Sequence, residues 1–434
     1  MSKIIEYIKD KKVLILGFGR EGKSTYSYIR KHLPEKFLTV GDKNKPEIDD
    51  RNTDVIFGDG YLKSLSDFDI VFKSPGIAFL DDVTYPDTTE ITCQTDMFLR
   101  FCKPTVVGIT GSKGKTTTST LIYEMLKAGG VNTCLIGNIG VPVFEKADED
   151  ESLVAVIEMS SHQLEFTTAS PHVAVLVNIY EEHLDHYKDG FKGYVNAKLN
   201  IARHQTKDDY IIYNPEQALD GVVDWNEVIK GQGKPVGYSY AQNDEFVNKL
   251  WKSSNHLKGE HNRHDIAYAL TVARIFGVSD AAAEQAIKSF GGIEHRMEYV
   301  GIYDGIAWYN DSIATIPTAV MGAVKAIGNV DTILFGGLDR GIDYTDFIKF
   351  LNECNVTNLV GLPETGHIII DKLKALGCTK NTVKARDMAD AVKKCKEITE
   401  KGKSCLFSPA AASYNYYKNF EEKGRHFKSL VVGE

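Results

Sequence analysis

The sequence predicts an α/β protein of three domains, built on parallel sheets with helices on both faces. Three observations carry this. Short apolar runs recur along the chain, each ending at glycine or a polar residue and followed by helical spacing. Two glycine-rich turns follow such runs, at 17–22 and 111–114. A length of 434 residues, at about 150 per domain, suggests three domains.

Taken in order, Val13–Leu16 runs into Gly17, Ile70–Phe72 precedes Ser74-Pro75-Gly76, and Val106-Val107 runs into Gly108. Val154–Ile157 precedes Glu158, Ala174–Val177 precedes Asn178, and Thr332–Phe335 runs into Gly336. Such runs read as buried strands whose C-terminal ends face ligands. The blocks fall at 1–102, 103–292 and 293–434, with Lys103-Pro104 entering the second and Gly291-Gly292 preceding the third. The segment 214–258 is polar and irregular and receives no assignment.

Composition narrows the function. The hydrophobic fraction is 43% and the charged fraction 25%, ordinary for a globular chain. A net charge of -8 without a long basic run argues against nucleic acid as a partner. The seven cysteines are dispersed and form no CxxC pair, which argues against a disulfide framework or structural zinc. No apolar run approaches the roughly 18 residues of a membrane span. Asp10, Lys11 and Lys12 interrupt any leader-like opening. The expectation is a cytoplasmic protein without a membrane partner.

The strongest local signal is Thr110-Gly111-Ser112-Lys113-Gly114-Lys115-Thr116-Thr117, between a β-run and a helix whose apolar stripe is Leu121, Ile122, Met125 and Leu126. Glycines let backbone amides approach phosphate oxygens, and the helix start adds positive potential. Lys115 is placed to reach terminal phosphates and Thr116 to hold Mg²⁺. Ile109 stands where the strict G-x-x-x-x-G-K-[ST] spacing requires glycine, so the loop is a variant. Gly17-Phe18-Gly19-Arg20-Glu21-Gly22, with Asp42 downstream, also fits a diphosphate ligand. A separate ATP loop favours a UDP-type ligand there over a dinucleotide, and a tight turn alone remains a reading. Glu158 is a candidate Mg²⁺ ligand at a strand end, and His183 follows the next strand. By spacing alone Lys198 is a solvated helical lysine.

Together these segments resemble the Mur ligase family along nearly the whole chain. The matching residues include Thr110–Thr117, Gly137–Gly140, Glu158–Gln163, Glu182–Tyr187, Ala197–Leu199, Gly259–Asn262, His295–Glu298, Asn310–Ser312, Gly336-Gly337 and Ser408–Ser413 through Phe420. The resemblance implies a Rossmann-like N-terminal domain that binds a UDP-sugar, a central P-loop ATPase-like domain, and a Rossmann-like C-terminal domain for the amino acid. It implies an ATP-dependent amide ligase that makes an acyl phosphate, releases ADP and phosphate, and serves peptidoglycan precursor synthesis. The implied substrates are UDP-N-acetylmuramoyl-L-alanine and D-glutamate, handled by a monomer. Lys115, His183 and Lys198 would be catalytic. Gly111, Ser112, Lys113, Gly114, Lys115, Thr116, Thr117, Asn262, His295, Arg296 and Asp311 would bind ATP. Thr116, Glu158, His183 and a carbamylated Lys198 would serve two Mg²⁺ sites. Gly19, Arg20, Asp42, Ser74, Pro75, Gly76, Asn138, Ser160, Gln163, His183, Thr315, Arg340, Ser413 and Phe420 would contact substrates. Departures from the family pattern are Asp265 for asparagine and Ile313 for lysine, with Arg340 available for the cationic role toward a side-chain carboxylate. The alternatives are another ligase of this type, such as a folylpolyglutamate synthase, and a nucleotide-binding protein that has lost catalysis.

Overall fold

The computed structural model describes residues 2–80, 83–182, 184–214, 234–237, 245–254, 256–257, 260–413 and 416–433. His183, Gly259 and most of segment 214–258 lie outside the described residues. The chain forms two compact units, Met1–Phe290 and Gly291–Glu434, so the second begins at the glycine pair.

The first unit contains two sheets. One has the order β3-β2-β1-β4-β5, with β1 Val13–Leu16, β2 Leu38–Asp42, β3 Thr53–Phe57, β4 Ile70–Lys73 and β5 Glu90–Thr92. The other has the order β11-β10-β9-β6-β8-β7. Its strands are β6 Thr105–Thr110, β7 Thr133–Gly137, β8 Val154–Glu158, β9 Val173–Leu176, β10 Tyr210–Tyr213 and β11 Lys234–Gly237. Neighbours in both sheets run parallel. Strands β1, β4, β8 and β9 are buried at every position, the mark of sheets covered on both faces.

The second unit holds the third sheet, ordered β12-β13-β17-β14-β15-β16. Its strands are β12 Glu298–Tyr303, β13 Ile306–Asn310, β14 Val330–Phe335, β15 Asn358–Gly361, β16 Asn381–Lys384 and β17 Ser404–Phe407. Only the β12–β13 hairpin is antiparallel among these pairs. Strand β14 lies between β15 and β17, where strand order turns, and open α/β sheets bind ligands beyond the strand ends at such points.

The predicted apolar runs all fall in strands, although β9 ends at Leu176, one residue early. The helix Lys115–Ala128 buries Leu121, Ile122, Met125 and Leu126, as its stripe predicts, and ends at Gly129. All seven cysteines are free thiols. Among the described residues, no helix is long and apolar enough to cross a membrane.

Candidate active site

In the first unit the parallel register sets the chemistry. Ile109 pairs with Glu158, and Gly137 pairs with Glu158 on the other side. The ends of β6, β7 and β8 therefore meet, and the phosphate loop leaves β6 beside the Glu158 carboxylate. Gly114 caps the loop's helix with φ +78, and a Cβ there would lie 2.7 Å from Asp265 Oδ1. Only glycine satisfies both the left-handed backbone and that approach.

The loop is held from several sides. Ser112 N donates to Asn178 O at 2.9 Å. Ser112 Oγ lies 3.0 Å from Tyr180 O and 2.6 Å from Tyr194 Oη. Lys113 N donates to Asn178 Oδ1 at 2.8 Å, while the Lys113 ammonium pairs with Glu182. Thr118 Oγ1 donates to Asp265 Oδ1 at 2.9 Å. The departure at 265 therefore has a structural role: this carboxylate ties the helix His261–Ile275 to the loop's helix. A cavity of about 350 Å³ lies alongside, lined by Lys113, Gly114, Asn178, His264, Asp265 and Tyr268. Asn262 is buried on the same helix.

Two lysine amines converge on one carbonyl. Lys115 Nζ donates to Gly111 O at 2.7 Å and to Ser112 O at 3.1 Å. Lys198 Nζ donates to the same Gly111 O at 2.8 Å and lies 4.7 Å from the centroid of the Tyr194 ring. Lys198 is 1% exposed. Burial, reinforced by the Lys115 charge, holds its amine well below the usual lysine range, against the pull of Glu182 and Glu158. Periodicity could have located it: the helix Phe191–Arg203 buries Tyr194, Val195, Lys198, Leu199 and Ala202, so Lys198 sits on the apolar stripe. The solvated reading of Lys198 is thereby corrected.

Glu158 Oε1 accepts from Asn138 Nδ2 at 2.7 Å. Its other oxygen, Oε2, is buried and has no hydrogen-bond partner among the described residues. An orphaned carboxylate oxygen beside a phosphate loop suits a hard divalent cation.

The two sheets of this unit are joined through the expected substrate residues. Ser74 Oγ donates to Gly17 O at 2.8 Å, and Phe18 N donates to Asp42 Oδ2 at 2.7 Å. Asp42 thus braces the first glycine loop. Ser160 and Gln163 cap one another at the helix start, and Gln163 Nε2 donates to Glu21 Oε1 at 2.5 Å. Burial pushes the Glu21 carboxyl up to about 7. Lys73 Nζ lies 3.0 Å from Glu165 Oε2, which also lies 3.2 Å from His186 Nε2. Sequence reading gave no role to Glu21, Lys73, Glu165 or His186, although Glu21 and His186 lie inside motifs it named and Lys73 and Glu165 lie within two residues of one. Gly19 and Arg20 are exposed at the first loop, and Pro75 and Gly76 form the turn after β4.

In the second unit, Asp311 directly follows β13. Its Oδ2 accepts from Ser408 Oγ at 2.7 Å and its Oδ1 from Met297 N at 3.1 Å. Burial pushes its carboxyl up to about 6, partly offset by those bonds and the Arg296 charge. His295 is buried with φ +66, and its Nδ1 lies 2.9 Å from Asn310 Nδ2. A Cβ on Gly424 would lie 2.3 Å from His295 Nδ1, so the helix Phe420–Val432 packs directly on this turn. Phe420 meets the His295 ring edge-on at 6.0 Å. Leu338 N donates to Ala412 O at 2.9 Å, setting the loop that bears exposed Arg340 beside the strand end that leads to Ser413. Ser413 Oγ is buried without a partner among the described residues. Thr315 lies just before the helix Pro317–Ile327.

Lys423, on that same final helix, is 2% exposed and donates to Gly336 O at 2.9 Å. Burial lowers its amine to about 7. The folded value lies below the unfolded one, so the penalty is full below pH 7 and fades as pH rises toward 10.5. Lys423→Met is expected to stabilise the protein by about 2–4 kcal/mol at pH 6 and by much less at pH 10. Urea unfolding at the two pH values checks this, and an equal gain at both would count against it.

The sequence finds its relatives here. Residues 109–277 match the Mur ligase middle domain. The UDP-N-acetylmuramoylalanine–D-glutamate ligase of Oenococcus oeni is 35% identical over 447 residues, covering 98% of this chain and 97% of its own. Among solved structures, the UDP-N-acetylmuramate-alanine ligase MurC of Thermotoga maritima covers 98% of this chain and 99% of its own, with TM-score 0.54 and 17% identity. The MurF ligase of Thermotoga maritima in complex with ADP covers 98% and 96%, with TM-score 0.53 and 16% identity. Three α/β sheets with a lysine-bearing phosphate loop on the second define a ligase of the Mur class. The chain belongs to the UDP-N-acetylmuramoylalanine–D-glutamate ligase family.

Proposed function

We propose that this chain uses ATP to join D-glutamate to the carboxylate of UDP-N-acetylmuramoyl-L-alanine, by way of an acyl phosphate, with ADP and phosphate as products. The observation that carries this reading is the convergence of Lys115 and Lys198 on Gly111 O beside the half-satisfied Glu158. A carboxylate and a triphosphate repel one another. Cationic groups must neutralise both before the terminal phosphoryl group can move.

Lys115 leaves the loop carbonyls to bind the terminal phosphates, while loop amides from Gly111 to Thr117 position them. The substrate carboxylate oxygen attacks the terminal phosphorus, and the bond to the ADP oxygen breaks. The amino group of D-glutamate then attacks the acyl carbon, and phosphate leaves. Glu158 and Thr116 suit one Mg²⁺, with His183 and Lys198 suiting a second; bound there, Mg²⁺ would supply charge neutralisation. A neutral Lys198 amine can attack carbon dioxide and release a proton, giving a carbamate anion in place of a cation. The lowered basicity of Lys198 supports that chemistry.

In this reading, block 1–102 binds the UDP portion through Gly19, Arg20, Asp42 and the Ser74-Pro75-Gly76 turn. Block 103–292 binds ATP, with Asn138, Ser160 and Gln163 facing the sugar peptide and Asn262 the nucleotide. Block 293–434 binds the amino acid through Thr315, Arg340, Ser413 and Phe420, and His295, Arg296 and Asp311 serve the nucleotide. The enzyme acts as a cytoplasmic monomer. Phosphate release with UDP-N-acetylmuramoyl-L-alanine, ATP and an amino-acid panel tests the proposal. D-glutamate should be strongly preferred. Equal turnover of L-glutamate, or release of AMP and pyrophosphate, would overturn it.

A further inference from the structure

The second unit carries a cavity of about 420 Å³ at the C-terminal ends of β14, β15 and β16. Leu362, Pro363, Met388 and Tyr417 give it apolar walls, and Lys423 and His426 contribute polar groups. None of Thr315, Arg340, Ser413 and Phe420 lines it.

Lys423 makes the cavity more than a packing defect. The side chain is almost wholly buried with its Nζ 5.7 Å from the Phe407 ring centroid, and among the described residues it has no carboxylate as an ion-pair partner. Its acceptor among the described residues is Gly336 O, and an ammonium group offers more donors than that one bond uses. Asp387 is the only carboxylate on the cavity wall among the described residues. It is committed to the start of the helix Met388–Ile398, accepting from Asp390 N at 2.8 Å. Burying a cation without a counter-charge is costly, and an anion entering the cavity would relieve that cost. The final helix repeats the pattern seen at Lys198: it buries Lys423, Gly424, Phe427 and Val431 on one stripe, placing a charge where an apolar residue would pack.

We propose that this cavity is a ligand site separate from the amino-acid site, and that it takes a small amphipathic carboxylate. The carboxylate pairs with Lys423, and an apolar or aromatic body lies against Leu362, Pro363, Met388 and Tyr417. The position beyond the C-terminal strand ends, next to the turn in strand order, is where sheets of this kind accommodate ligands.

The test is a fluorine NMR titration of the full chain with fluorophenylacetate. Saturable binding is expected in the unchanged protein and in Arg340→Ala, and D-glutamate should not displace the probe. Lys423→Met removes the charge while keeping apolar volume, and should weaken binding about tenfold or more. Ala389→Glu places a repelling carboxylate at an exposed position on the rim and should do the same; it tests the site independently, with Lys423 intact. Lack of saturation, binding that survives the cavity substitutions, or displacement by D-glutamate would each overturn the proposal.

Discussion

Lys198→Ala is expected to lower the ligation rate about a thousandfold while the fold persists. The lysine lies on the helix Phe191–Arg203, and its amine reaches Gly111 O at 2.8 Å. Alanine keeps the helix, and Lys115 still satisfies that carbonyl. What disappears is a nitrogen beside Glu158 whose basicity burial lowers and which can carry a carbamate anion. A short carboxylate such as acetate, diffusing into the vacated space, should restore part of the rate. Phosphate release with and without acetate measures both effects, and full activity in the variant would remove Lys198 from the mechanism.

Lys115→Met should lower kcat/KM about a thousandfold, because the phosphates lose their principal cation. The variant should also change Lys198. The Lys115 charge is one of the influences that depress Lys198, second only to burial. Removing a neighbouring cation raises the pKa of the remaining amine, so a smaller share of it is neutral at a given pH. Labelled carbon dioxide should therefore mark Lys198 less in Lys115→Met than in the unchanged protein, with the difference shrinking as pH rises. Equal labelling would mean that the Lys115 charge does not depress the Lys198 amine.

The fold was readable because its central strands are short, largely apolar and followed by glycine or a polar residue. The phosphate loop was readable because its residue types and their order are dictated by phosphate. The charges buried behind the loop were not. Lys73 and Glu165 lie 92 positions apart, and Thr118 and Asp265 lie 147 apart, so tertiary packing alone brings each pair together. Asp265 stood out as a departure from the family pattern, but no sequence spacing names Thr118 as its partner. Lys198 and Lys423 are intermediate cases. Helical periodicity places both among apolar residues, and a strict count along each helical stripe is enough to mark them as buried.

The amide of Gln163 serves two masters. Its oxygen accepts from Ser160 N while its nitrogen donates to Glu21, and only one orientation of the amide does both. An acid at 21 is matched by a donor at 163, and Gln163→Glu alone would set lone pair against lone pair. Grafting the first glycine loop onto a chain with a carboxylate at position 163 would succeed only if residue 163 were changed together with it.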